Sequence, residues 1–234
     1  SVYGGVGMSP QIAGLKGRAE IVVACPGRLL DHIARGGVDL SGVEALVLDE
    51  ADQMFDMGFL PSVRKILARV PKTRQTMLFS VTMPSEIRHL AHECLRDPIT
   101  VQIDHLVPLT TVTHALFPVR EHLKTDLLLE LIRRAGAGSV LVFTRTKHRA
   151  KKIGKRVQDA GYAAASLQGN LSQSARKRAM DGFRDGSTQV LVATDIAARG
   201  IDVSEISHVI NYDVPGTPET YTHRIGRTGR AAKT

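Results

Sequence analysis

The feature that most constrains this chain is an alternation of two kinds of segment. Short apolar, β-branched runs alternate with stretches whose apolar residues recur at helical spacing. Such alternation builds βαβ units around parallel sheets. It predicts strands at 21–24, 45–48, 76–79 and 99–103. Helices are expected at 60–70, with Pro61 near its start, and at 84–95. Residues 104–113, DHLVPLTTVT, have no helical period and read as a connector. The alternation then resumes, with strands at 114–119, 139–143, 163–167, 189–193 and 208–211. Helices at 122–134, 147–160 and 172–183 lie between them. A length of 234 residues gives room for two α/β lobes, 1–103 and 114–234, joined by a linker at 104–113.

Composition narrows the partners. There are 31 basic and 23 acidic residues, a net charge of +8, which favours a polyanion such as nucleic acid. Aromatic residues make up only 4% and Trp is absent, so a base-stacking platform is not expected. Contact through phosphates and 2′-hydroxyls fits better. Two cysteines, Cys25 and Cys94, make neither a disulfide framework nor a metal site. They read as reduced thiols of a cytoplasmic protein. No signal peptide and no membrane-spanning apolar run is apparent.

Three strings carry chemistry. The first is VLDEADQMFDMGF, residues 47–59, with Asp49, Glu50 and Asp52 directly behind an apolar run. Ligands of open α/β sheets bind at the carboxyl ends of strands. A carboxylate there suits Mg²⁺ on nucleotide phosphates, and its neighbour suits a water. A surface turn has the same acidic composition. The second is ATDIAARGID, residues 193–202, where Arg199-Gly200 lets backbone approach a phosphate. The third is HRIGRTGR, residues 223–230, whose Gly-Arg spacing aims several guanidinium groups at one place. A basic nucleic-acid loop is the plainer reading of it. The helix at 147–160 adds Lys147, Arg149, Lys151, Lys152, Lys155 and Arg156 opposite an apolar stripe of Ala150, Ile153, Val157 and Ala160. That basic face is either solvated or a phosphate-facing stripe.

In this order the strings resemble the DEAD-box family of ATP-dependent RNA helicases, over the whole chain. YGG at 3–5 is similar to the family's GG element, and CPGR at 25–28 to its TPGR element, with Cys25 in place of Thr. SVT at 80–82 stands where the family has SAT. VFTRT at 142–146 resembles motif IV, and QSAR at 173–176 the QxxR element. GGVGMSPQ, VDLSGVEALVLDEAD and DMGF resemble the bacterial RhlE-like branch most.

The resemblance implies two RecA-like parallel-sheet lobes, with ATP and Mg²⁺ as cofactors and RNA as a backbone-read, sequence-independent partner. It names no protein partner. By it, Asp49 binds Mg²⁺ through water and Glu50 positions the hydrolytic water. Asp52, Ser80 and Thr82 couple the ATP site to the lobe interface. Arg227 and Arg230 reach the γ-phosphate, His223 communicates between lobes, and Asp202 contacts the ribose. Gly5, Pro26, Gly27, Arg28, Thr144, Gln173, Arg176, Thr194 and Gly200 line the RNA track.

One element is missing. No Gly-rich loop ending in Gly-Lys-Ser or Gly-Lys-Thr occurs, and no adenine-reading Q motif. The sequence therefore reads as an internal fragment. Its first lobe lacks opening strands and has an unprotected sheet edge, and its second stops before a last strand. The expected activity is ATP-driven unwinding or remodelling of short RNA duplexes by the parent, with the fragment itself inactive. An ATPase-deficient RNA clamp is the alternative, and a DNA-directed helicase a more distant one.

Overall fold

The computed structural model describes residues 1–17, 19–102, 112–198 and 206–228. The chain forms two compact units, Ser1–Gln102 and Ile103–Thr234.

The first unit runs α1 (Met8–Lys16), α2 (Pro26–Ala34), β1 (Ala45–Leu48), α3 (Ala51–Asp56), α4 (Leu60–Leu67), β2 (Gln75–Leu78) and α5 (Ser85–Cys94). β1 and β2 pair in parallel, with Ala45 opposite Gln75 and Leu48 opposite Leu78. Strand residues alternate between faces, so Leu46, Leu48 and Leu78 turn toward the helices. There they meet Leu60 and Val63 of α4 and Ile87, Leu90 and Cys94 of α5. Those helix positions are three or four apart, one stripe on each helix. Each fully buried Leu, Ile or Val of this cluster contributes about 1.5–3 kcal/mol. On the other face Val47 and Phe79 remain 50% and 54% exposed.

Two expected strands do not form ladders here. Residues 21–24 make a single parallel bridge, Val2 to Ala24. Residues 99–102 pair with nothing among the described residues, and Ile99 and Val101 are 91% and 82% exposed. A strand needs a neighbour, and apolar composition cannot supply one. Residue 103 lies outside the described residues.

The second unit has a 3₁₀ turn (Glu121–Leu123), α6 (Lys124–Ala135), β3 (Val140–Phe143), α7 (Lys147–Asp159), β4 (Ala164–Leu167), α8 (Gln173–Arg184), β5 (Val190–Ala193), α9 (Asp195–Ala198), β6 (His208–Asn211) and α10 (Pro218–Ile225). Its sheet is parallel throughout, in the order β4-β5-β3-β6. VLVF in β3 and VLVA in β5 are buried at all four positions, as central strands covered on both faces must be. Leu128, Ile132, Ala150, Ile153 and Val157 of α6 and α7 cover one face. Phe183 of α8 with Ala197 and Ala198 of α9 covers the other. Gly154 lets α7 approach β4 closely, since a Cβ there would stand 3.1 Å from Ser166 Cβ. Residues 114–119, expected as a strand, pair with no strand among the described residues.

The register aligns Leu167, Ala193, Phe143 and Asn211 across the sheet. Residues 144, 168, 194 and 212 therefore leave the four strands along a single edge.

Candidate functional site

In the first unit the acidic string follows β1 as a turn. Phe79 N–H donates to Leu48 O, and Ala51 N–H donates to Phe79 O at 3.0 Å. The exits of β1 and β2 are thereby stitched together. Asp52 is 4% exposed and reaches across this stitch. Its Oδ2 accepts the Thr82 N–H at 2.9 Å and the Thr82 hydroxyl at 3.0 Å. The Asp52 N–H donates to Ser80 Oγ, and Ser80 Oγ donates to Thr82 O at 2.7 Å. Ser80 and Thr82 thus meet the acidic string directly, while Val81 between them is 48% exposed.

Asp49 and Glu50 are exposed at the end of β1. Glu50 holds a left-handed backbone, φ 50° and ψ 49°, as N-cap of α3. For a non-glycine residue that conformation costs about 1–2 kcal/mol. Asp49 Oδ1 accepts the Glu50 N–H at 2.9 Å. Its second oxygen has no protein partner among the described residues. Among those residues no three His, Cys, Asp or Glu side chains converge as a metal cage. One exposed carboxylate with an available oxygen suits a hydrated, oxygen-seeking divalent cation such as Mg²⁺.

The glycine-rich start and the CPGR element also come together. Val2 N–H donates to Val23 O and Cys25 N–H to Val2 O. Gly5 turns with φ 79°, open to glycine at no steric cost. Arg28 donates to Val6 O at 3.0 Å and Gln11 to Tyr3 O at 2.9 Å. Buried His32 pairs with Gln11 at 3.0 Å and so braces the turn. Pro26 and Gly27 open α2.

In the second unit, Thr144 and Thr194 stand side by side at the sheet edge. Thr144 N–H donates to Ala193 O at 2.9 Å. The Thr144 side chain is fully buried, with Oγ1 3.4 Å from the carbonyls of Thr146 and Ala193. It shapes the loop and presents no atom to solvent. Gln173 begins α8, and Arg176 donates to Ala197 O at 3.4 Å. His223 lies on α10, with Nε2 buried and without a hydrogen-bond partner among the described residues. Arg227 follows that helix and is half-buried. Gly200, Asp202 and Arg230 lie outside the described residues.

The expectation that the arginines of HRIGRTGR converge needs correction at Arg224. Its side chain is 4% exposed and turned inward. It grips Asp195 with two bonds, 2.6 and 2.9 Å, and donates to Asn211 Oδ1 and Asp213 O at 2.8 Å. Its guanidinium also lies 5.0 Å from the Phe143 ring centre. This arginine ties α10 to α9 and to the end of β6.

The comparisons with known proteins agree with these strings. Residues 1–90 match the DEAD/DEAH box helicase family and residues 123–232 the helicase conserved C-terminal domain. The chain belongs to the DEAD-box RNA helicase family. The DEAD-box ATP-dependent RNA helicase CshA of Bacillus subtilis is 43% identical over 234 residues, covering 100% of this chain and 47% of that protein. CshA of Geobacillus kaustophilus is 43% identical, covering 100% of this chain and 50% of that protein. The chain thus spans about half the length of these relatives. Among solved structures, S. cerevisiae Dbp5 bound to RNA and ADP BeF3 has a TM-score of 0.82 at 33% identity, covering 91% of this chain and 57% of that one. A DEAD box protein from Methanococcus jannaschii is 41% identical at a TM-score of 0.51, covering 99% and 62%.

Sequence reasoning about this DEAD-box chain missed two anchors, Arg224 and Asp213. Asp213 is 4% exposed. It accepts the Arg145 N–H at 2.8 Å, the Arg149 guanidinium at 2.5 Å and the Lys124 ammonium at 3.3 Å. Burial pushes its carboxyl up, but these donors together hold it below the usual carboxylate range. It therefore fixes the loop that follows β3. The available signal was NYD directly behind an apolar strand, the same pattern as VLDEAD.

Proposed function

We propose that this chain carries the hydrolytic and RNA-contacting parts of an ATP-dependent RNA helicase, one that separates or remodels short RNA duplexes. The observation that supports this best is the joining of Asp52 to Ser80 and Thr82, with Asp49 and Glu50 exposed beside it. A hydrolytic site needs exposed carboxylates on a rigid turn, and needs that turn connected to whatever moves on hydrolysis. Asp49 would hold Mg²⁺ through water, and Glu50 would orient the attacking water. The cation, when bound, neutralises charge on the nucleotide phosphates. Asp52 would pass the state of this turn to Ser80 and Thr82. Arg227 and Arg230 would steady phosphate charge, His223 would report it, and Asp202 would hold the ribose.

Gly5, Pro26, Gly27, Arg28, Gln173, Arg176, Thr194 and Gly200 would meet RNA phosphates and 2′-hydroxyls, which gives specificity for RNA shape over base sequence. Thr144, being buried, would act through the loop it holds. We assign residues 1–103 to the first helicase lobe, 104–113 to the linker and 114–234 to the second. GGVGMSPQ and DMGF favour the RhlE-like branch. Among the described residues no helix is long and apolar enough to cross a membrane; a cytoplasmic location rests on the reduced-thiol reading.

The 234 residues contain no Gly-Lys-Ser or Gly-Lys-Thr loop, and relatives are about twice as long. Both features favour a fragment that by itself binds ATP poorly and turns it over slowly. The second reading is an RNA clamp without turnover. RNA-stimulated ATP hydrolysis by the full-length protein decides between them, with Glu50→Gln alongside and DNA of equal sequence as a control. Hydrolysis stimulated by RNA and lost in the variant supports the helicase. RNA binding without hydrolysis in the unaltered protein supports the clamp.

A further inference from the structure

The outer face of α7 has no role in the site described so far. On that helix His148, Lys151, Lys152, Lys155 and Arg156 are all exposed. Together with Asp159 they line a shallow open depression of about 320 Å³. Residues four apart on a helix are neighbours, and like charges there are mutually destabilising. Lys151 with Lys155, and Lys152 with Arg156, are two such pairs. Lys155 finds relief in Asp159 at 3.1 Å. Lys151, Lys152 and Arg156 have no carboxylate within ion-pair reach among the described residues.

The neighbouring helices differ. Arg133 and Arg134 on α6 share Glu130 at 2.7 and 2.8 Å, and Lys177 and Arg184 on α8 share Asp181. At the start of α7, Arg149 is neutralised by Asp213 and Glu121. Among α6, α7 and α8, the outer, middle part of α7 therefore groups three such cations, against the exposed Arg178 on α8. The opposite stripe of α7, Ala150, Ile153 and Val157, is sealed against the sheet, so the basic face cannot fold inward.

We propose that this face is an auxiliary binding surface for the phosphodiester backbone of RNA, extending the track at the sheet edge. α7 begins three residues beyond Thr144, so the helix starts at the sheet edge. From His148 to Arg156 the face rises about 12 Å, the length of between three and four stacked nucleotides of one strand. Lysine and arginine heads in two rows, without aromatic residues between them, suit phosphates and ignore bases. The consequence is grip on RNA beyond the few nucleotides held by the track itself. This inference rests on the RNA-binding reading above.

The test compares an RNA of about 6 nucleotides with one of about 20, binding to the 234-residue chain across a salt series. The altered chain carries Lys151→Gln, Lys152→Gln and Arg156→Gln. Its affinity for the long RNA falls about tenfold, and the slope of log K against log salt falls by about 2, as three lost phosphate contacts require. Binding of the short RNA is unchanged, and Arg133→Gln with Arg134→Gln changes neither. Arg156→Gln alone gives a smaller fall in slope. Thermal melting of the triple variant is no lower than that of the unaltered chain, because repulsion has been removed.

Equal losses on both RNAs, or an unchanged slope, overturn the proposal. So does polyglutamate binding more tightly than the long RNA and losing that binding in the triple variant, which would make the occupant an acidic polypeptide. If the unaltered chain binds neither RNA, the RNA reading itself falls along with the proposal.

Discussion

Asp52 and Thr82 are joined through a single carboxylate oxygen, which accepts both the backbone N–H and the hydroxyl of Thr82 at 2.9 and 3.0 Å. This oxygen links the turn after β1 to the turn after β2. Thr82→Val removes the hydroxyl donor and keeps the backbone one. The expected cost to the first unit is about 1.5 kcal/mol, the range for a hydrogen bond to a charged group. Val81→Ala, beside it, trims a side chain already 48% exposed and should shift stability by less than about 0.5 kcal/mol. Urea midpoints of the two variants check this. Equal losses would mean that the turn is held by packing instead.

Glu50 carries strain where the proposed hydrolytic chemistry sits. On that proposal, this left-handed glutamate is kept for its carboxylate, not its backbone. Glu50→Gly relieves the backbone, and the melting temperature of the chain should hold or rise. In the full-length protein the same change should abolish RNA-stimulated hydrolysis. Destabilisation by glycine would show that the glutamate side chain supports the fold.

Much of the architecture was legible because parallel strands covered on both faces are continuous apolar runs. β1 and β6 fall where the pattern put them, and β3 and β5 within one residue of it. The runs at 21–24, 99–103 and 114–119 have the same composition but no ladder among the described residues, since pairing depends on a neighbour. α1 was missed because it has hardly any apolar stripe, burying only Gln11. α2 was missed because it opens on Pro26-Gly27, which also reads as a turn. The meeting of Asp52 with Ser80 and Thr82 joins residues that the family strings had singled out. The burial of Arg224 and Asp213 was hidden, since a charged residue is buried only where distant partners satisfy it.

Asp213 makes the second unit acid-sensitive in a defined direction. Its carboxyl is held below its ordinary value by Arg145, Arg149 and Lys124 against the opposing effect of burial. A depressed folded value gives stability that is complete above the unfolded value and is lost as pH falls through the folded one. Asp213→Asn should therefore cost about 3 kcal/mol near neutral pH, and the gap to the unaltered chain should narrow below about pH 4. Urea unfolding at several pH values measures this. A gap independent of pH would mean that the side chain acts through shape and not charge.

Arg224 is the stricter case, because two carboxylate oxygens, a side-chain amide and a backbone carbonyl all depend on one planar group. A lysine ammonium is a point donor and cannot match that fork, whatever its charge. Arg224→Lys should therefore destabilise the second unit by about 3 kcal/mol, close to the loss from removing the charge altogether with Arg224→Met. Asp195→Asn, which keeps an acceptor and leaves Asn211 and the Asp213 carbonyl bound, should cost less than either. Thermal melting of the three variants orders them. A lysine variant as stable as the unaltered chain would show that charge alone holds α10 in place. The two-pronged geometry would then be incidental, and the position of Arg227 at the end of that helix would no longer depend on Arg224.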